Sequence, residues 1–341
     1  MTIKDVAQRS GYAVGTVSRV LNGSPGVSAE ARRKVLAAVE ELGFKPNSNA
    51  RHLKRREGNG FSFIVKGAHN LLFAGIVEEM QHCIEDAGRS ASVYYLDEYS
   101  DEVEMAVQVC REQKPLGILF LGGNRENFSR GFAQIGCPCV LVTTRADTLG
   151  FSNLSSVSTD DVAGAAHAMS HLLDAGHQRI GVIGGESCVI VPAMGCNTSQ
   201  LRLIGCQQAF LQRGLAFEPE QWAIASHFSL EGGYAAASAL LDRCPDMTAI
   251  LAMSDVMAIG AMRAIHDRGL RVPEDISLIG YDGIEQAAYC VPRLTTIRQD
   301  AVRLARRGVD ILLQQKDGGE TVHEIVPFQL VHGESVRPVK A

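Results

Sequence analysis

Thr16, Ser18 and Arg19 are the first residues whose types and spacing suggest a chemistry. They fall in a short segment, Val14 to Leu21, whose apolar side is formed by Val17, Val20 and Leu21. At helical spacing the polar and apolar sets take opposite sides. A guanidinium presented on the polar side can bond a guanine edge at two points in the major groove; the plainer alternative is an arginine that only faces solvent. Other chemistry is sparse. His167 and His171 stand four apart on a predicted helix, a spacing that can hold a metal, but no third ligand is near them in sequence. The nine cysteines are scattered, and Cys137-Pro138-Cys139 is too tight for a zinc knuckle, so reduced, mostly buried thiols are expected. There is no G-x-S-x-G, P-loop or H-E-x-x-H, and the glycines of RIGVIGGES do not make G-x-G-x-x-G. The residues therefore predict no enzyme, no cofactor and no metal site.

The elements that must position Arg19 are legible around it. Thr2 and Asp5 stand in capping positions ahead of Ile3, Val6 and Ala7, and Gly11 ends that first helix. Asn22-Gly23 and Pro25-Gly26 break the chain after the second. Ser28 caps a third, with Val35, Leu36, Val39 and Leu42 at helical spacing and Gly43 as its stop. Helix, tight turn and second helix are the parts of a helix-turn-helix. Charge agrees: residues 1–60 hold eleven Lys/Arg against five Asp/Glu, a net of +6, whereas the rest hold 22 against 33, a net of −11. A basic head on an acidic body suggests a polyanion as the head's partner. Residues 47–60, ending the segment PNSNARHLKRREGNG, read as a polar, basic linker.

From Phe61 the pattern changes to short apolar strands alternating with amphipathic helices. Predicted strands are 61–65, 91–96, 117–122, 139–144, 179–185, 249–254, 276–282 and 295–300, and AGIVEEMQHCIEDAG and VMAIGAMRAIHDRG fit the helices between. Near-continuous apolar strands in βα alternation imply parallel sheets covered on both faces. So many residues suggest two α/β lobes, with a ligand in the cleft outside the carboxyl ends of the strands. No apolar run reaches the length of a membrane span, and the N-terminal segment has no apolar core of a signal peptide. A cytoplasmic protein is expected.

The run IKDVAQRSGYAVGTVSRVLNG…VSAEARRKVLAAVEELGFKPNSNARHLK resembles the lactose-repressor/galactose-repressor family almost position for position. The resemblance continues through LLDAGHQRIGVIGG, RLIGCQQAF, SDVMAIGAMRAIHDRGLRVPEDISLIGYDGIE and PRLTTIRQD. It implies an all-α helix-turn-helix headpiece (1–46), a hinge helix or linker (47–60) and a two-lobed α/β core like that of periplasmic binding proteins (61–341). The implied N-lobe is about 61–160 plus 292–321, and the C-lobe about 161–291 plus 322–338. In the head it makes Val14 and Gly15 the positions that set operator preference, Arg19 a base reader, and Thr16, Ser18 and Asn22 phosphate contacts. Ala13 stands where the family usually has a Ser cap, whose loss costs about 1 kcal/mol. In the hinge it makes Leu53 an apolar wedge in the minor groove, flanked by Arg51 and Lys54 on phosphates.

In the core the resemblance assigns a small-molecule effector to Asn70, Phe73, Asp160, Arg202, Phe228, Ser254, Asp255 and Asp282. Arg202 is the expected anchor, with five donors in a fixed fork, and Asp282 the expected acceptor of vicinal hydroxyls. Ser254 replaces a common Asn. The implied function is a sequence-specific transcription regulator, expected to be a repressor, whose operator affinity is set by an effector, with a sugar or sugar derivative as the expected class. A homodimer is implied, because the leucine-heptad tail of the family's tetramers is lacking. Two rivals compete with that reading. A cytoplasmic sugar-binding protein without DNA function is opposed by the intact head. A sugar-processing α/β enzyme is opposed by the missing acid/base and nucleophile motifs.

Overall fold

The computed structural model describes residues 3–13, 16–17, 20, 28–42, 60–67, 70–185 and 197–339. The chain divides into two compact units, residues 1–57 and 58–341.

In the first unit α1 (Ile3–Ser10) packs on α2 (Ala29–Glu41). Gly11 takes φ +74, a left-handed turn that glycine adopts without strain. Thr16, Val17 and Val20 are helical, and the amides of Thr16 and Val17 donate to the Ala13 carbonyl at 2.8 and 3.1 Å. Ser28 Oγ accepts from the Ala31 amide at 3.2 Å, so the expected cap of α2 is present. Val6, Ala7, Val17, Val20, Val35 and Ala38 form the core. Leu36, expected on the apolar side, is 48% exposed, because Val35 and Ala38 already fill the inward face.

The second unit holds two six-stranded sheets. The first has the order β11-β5-β4-β3-β1-β2 and is parallel throughout. Its strands are β1 (Phe61–Lys66), β2 (Ala91–Leu96), β3 (Ile118–Leu121), β4 (Cys139–Val142), β5 (Leu154–Thr159) and β11 (His323–Val326). Successive side chains alternate faces. Phe61, Phe63 and Val65 pack under α3 (Leu71–Asp86) and α10 (Ala301–Lys316), while Ile64 joins Phe120, Phe128 and Phe132 under α4 (Glu102–Gln113) and α5 (Arg125–Gly131).

The second sheet has the order β12-β10-β9-β8-β6-β7, parallel except for the β10–β12 pair. It comprises β6 (Ile180–Ile183), β7 (Ala223–Ile224), β8 (Ala249–Ala252), β9 (Ser277–Asp282), β10 (Thr295–Gln299) and β12 (Phe328–Val331). One face is covered by α6 (Asp161–Asp174) and α7 (Thr198–Leu211), the other by α8 (Leu230–Arg243) and α9 (Asp255–Asp267). Both helix pairs touch through glycine. A Cβ at Gly205 would fall 2.2 Å from the Val162 carbonyl oxygen, and one at Gly260 would fall 2.1 Å from that of Leu230.

The lobe boundaries differ from the expected ones. Residues 292–321 do not all join the first lobe, since β10 pairs with β9 in the second sheet. Residues 322–338 do not all join the second, since β11 pairs with β5 in the first. The chain thus crosses between sheets after β5, after β10 and after β11. The exchange satisfies both sheet edges: β11 covers the open side of β5, and β12 that of β10. β5, β7, β11 and β12 were not among the expected strands. β5 reads LSSVST, whose serines hide a fully buried strand; β11 and β12 are half-exposed edges without an apolar run.

Candidate effector site and head

The polar cluster of the second unit grows from the carboxyl ends of β8, β9 and β10 and the first turns of α6 and α9. Arg202 projects from α7 and is 4% exposed. Its Nε donates to Asp161 Oδ1 at 2.9 Å, one terminal nitrogen lies 3.7 Å from Asp282 Oδ1, and the other donates to the Met253 carbonyl. The guanidinium lies 3.7 Å over the Tyr281 ring, a stacking that suits arginine's planar, weakly hydrated cation.

Asp282 ends β9 with φ +112, a backbone conformation that a side chain rarely adopts. Such strain persists only where the surroundings hold it, and it gathers at functional sites. Gln299 Nε2 donates to Asp282 Oδ1 at 2.8 Å. Asp255, wholly buried, accepts from Thr296 Oγ1 at 2.6 Å and from the Ile284 amide at 2.8 Å.

Asp161 and Asp282 thus share the buried Arg202 guanidinium, while Asp255 is held by Thr296 and the Ile284 amide. Burial raises the Asp282 carboxyl to about 6 against the pull of Arg202 and Gln299. Burial likewise raises Asp161, although Arg202 opposes it. Asp255 is pushed well above the carboxylate range by burial and then by the charge of Asp282. Burial works against the Arg202 charge, but Asp161, Tyr281 and Asp282 outweigh it and hold the guanidinium above its ordinary range. The cluster keeps its cation, and burial favours the neutral form of its carboxyls, most of all at Asp255, so it presents acceptors at Asp161 and Asp282 and a group that can also donate at Asp255.

The structure sorts the remaining predicted residues. Asn70 caps α3, its Oδ1 accepting from the Leu72 amide at 3.0 Å. With Phe73, Val65, Gly67, Ala74 and Tyr95 it lines a hollow of about 230 Å³ at the carboxyl edge of the first sheet. Asp160 caps α6, accepting from the Ala163 amide at 3.0 Å, and the inward-facing neighbour is Asp161. Ser254 caps α9, accepting from the Met257 amide at 3.2 Å. Phe228 is half-buried against the cores on both faces of the second sheet. Arg202, Asp282 and Asp255 are therefore brought together. Asn70 and Phe73 lie on the other sheet and share no hydrogen bond or ion pair with them.

Sequence reasoning missed Asp161, Tyr281 and Gln299. The Asp160-Asp161 pair held the signal: where the first residue caps a helix, the second opens its first turn and can face inward. Of the predicted DNA contacts only Thr16, half-buried beside Val17, is described. Val14, Gly15, Ser18, Arg19, Asn22, Arg51, Leu53 and Lys54 lie outside the described residues.

The seven described cysteines are unpaired. His171 faces His332 at 5.1 Å between ring centroids, a neighbour sequence spacing did not reveal. No group of three or more metal-ligating side chains occurs among the described residues. No described helix is long and apolar enough to cross a membrane.

Comparison with known proteins places both units. A family profile described as "Bacterial regulatory proteins, lacI family" matches residues 2–47, and one described as "Periplasmic binding protein-like domain" matches residues 169–336. The chain is 31% identical over 339 residues to the HTH-type transcriptional regulator MalR of Clostridium butyricum, covering 98% of this chain and 99% of that one. It is 31% identical over 326 residues to the ribose operon repressor of Haemophilus influenzae, covering 95% of each. Among solved structures, the lac repressor dimer bound to operator and the anti-inducer ONPF aligns with TM-score 0.74 at 28% identity, covering 99% of both chains.

Proposed function

The chain belongs to the lacI family of bacterial regulatory proteins, and from that premise we propose that it is a repressor whose grip on an operator is set by a neutral, hydroxyl-rich solute, a sugar or sugar derivative, held at the Arg202 cluster. It is a DNA-binding transcription regulator under small-molecule control. The observation that carries the ligand class is the make-up of the cluster: among the described residues, the buried acids Asp161, Asp255 and Asp282 gather near one buried cation, Arg202, which Asp161 and Asp282 already share. Sugar hydroxyls donate to carboxylates, and the single guanidinium fixes their orientation. A phosphate or carboxylate would meet three acids and a cation already shared.

At the head, Arg19 reads a base, with Val14 and Gly15 beside it, while Thr16, Ser18 and Asn22 hold phosphates. Leu53 wedges the minor groove between Arg51 and Lys54. Two chains pair, as in the lac repressor dimer, so each head takes half of a near-palindromic site. The effector acts by its differential affinity for two lobe arrangements. The protein catalyses no reaction, and it works in the cytoplasm, where chromosomal DNA lies.

A thermal-shift screen of neutral sugars, sugar phosphates and nucleobases tests the ligand class. A cognate sugar at 100 times its dissociation constant adds about 2.7 kcal/mol of stability. The same sugar then changes the affinity of the full-length protein for a duplex selected from a random library. Stabilisation by sugar phosphates alone would overturn the charge argument.

A further inference from the structure

A polar contact joins the two lobes away from the Arg202 cluster. Glu98 and Tyr99 follow β2 in the first sheet, and His227 lies between β7 and α8 in the second. His227 Nδ1 is 2.9 Å from Glu98 Oε1, and its Nε2 is 3.1 Å from the Tyr99 hydroxyl. The Tyr99 and His227 rings meet edge-on at 5.7 Å. A carboxylate can only accept, so Nδ1 carries the proton. A phenol can donate or accept, so Nε2 keeps its bond whether or not it is protonated.

Both arms are fixed before they meet. Asp97 Oδ1 accepts from the Tyr99 amide, the Ser100 amide and Ser100 Oγ at 2.8–2.9 Å, which sets the loop that presents Glu98 and Tyr99. On the other side the Ser226 amide donates to the Gly185 carbonyl at 2.9 Å, and the Ser229 amide donates to the His227 carbonyl at 2.8 Å. A Cβ at Gly232 would fall 2.3 Å from that His227 oxygen, so the first turn of α8 closes directly on it.

The position of the contact gives it meaning. β2 and β7 are edge strands of their sheets, and the chain's crossings leave from β5, β10 and β11, toward the opposite edges. The lobes are hinged along one side and touch through this triad along the other, where opening separates them furthest. We infer that Glu98, Tyr99 and His227 form a clasp that biases the lobe–lobe equilibrium and thereby the affinity for operator. The inference rests on the regulator reading above. His227 and Glu98 side chains are 60% and 43% exposed, so the bias is modest, about two- to fivefold per contact.

Two measurements on the full-length protein test it. Tyr99→Cys/His227→Cys, treated with a short bis-maleimide, gives a link between positions 99 and 227 in peptide mass spectrometry. Each single variant serves as control for the native thiols. Affinity for the selected duplex is then measured for Glu98→Ala, His227→Ala and the double variant. Each single change shifts affinity about two- to fivefold in the same direction, and the double variant goes no further. Absence of the link overturns the clasp. A link without any change in affinity, or with additive changes, overturns its role in control. A wild-type protein that selects no duplex at all overturns the regulator reading instead, and the cross-link still decides whether the clasp exists.

Discussion

Asp282 meets conflicting demands within the Arg202 cluster. It is buried, it holds a backbone conformation unfavourable to a side chain, and it lies between Arg202 and Gln299. Burial lifts its carboxyl from 3.8 to about 6. A carboxyl raised on folding stabilises the native state below its ordinary value, and that contribution is lost as pH rises to the folded value. Asp282→Asn has no such loss. Relative to the wild type, the variant is expected to gain up to about 3 kcal/mol between pH about 4 and about 6.5, measured as the difference in urea unfolding free energy. A difference independent of pH would show that this carboxyl keeps its ordinary affinity for protons.

At the scale of elements, helix pairs are set by glycine and helix starts by caps. Gly260 of α9 lies where a Cβ would fall 2.1 Å from the Leu230 carbonyl oxygen of α8. Alanine favours a helix by about 1 kcal/mol over glycine, yet overpacking costs about 1–3 kcal/mol. Gly260→Ala is therefore expected to lower the thermal midpoint despite its better propensity. In the head, Ala13 offers a backbone carbonyl to Thr16 and Val17 but no side-chain acceptor. Ala13→Ser supplies one, worth about 1 kcal/mol. Hydrogen exchange at the Thr16 and Val17 amides of the full-length protein is expected to slow about fivefold.

For the whole molecule, the proposed mechanism couples effector and DNA-binding head through populations of lobe arrangements. Leu53 belongs to the stretch expected as a hinge, near the end of the first unit, and its assigned wedge acts only when the flanking bases are distorted. Leu53→Ala is expected to weaken binding to a selected operator by about fivefold or more, on the order of 1–3 kcal/mol, while binding to random duplex at the same salt changes little. Equal loss on both duplexes would remove the wedge from the mechanism.

The sequence by itself determined the helices of the head that the structure describes. Val17 and Val20 turned inward as their spacing requires, and Ser28 capped as its position requires, because capping and helical periodicity act within a few residues. The family resemblance also picked out Arg202, in the first turns of a helix, and Asp282, at a strand end. Tertiary structure alone decided that Asp161 rather than Asp160 pairs with Arg202, and that Asp255 is locked by Thr296 and Ile284. It alone decided that β10 and β11 exchange lobes, and that Glu98 and Tyr99 meet His227. These pairings join residues 29 to 167 positions apart. Which edge takes which strand, and which carboxylate meets the one buried cation, depends on filling both sheets and satisfying buried polar groups at once, and no local pattern encodes that.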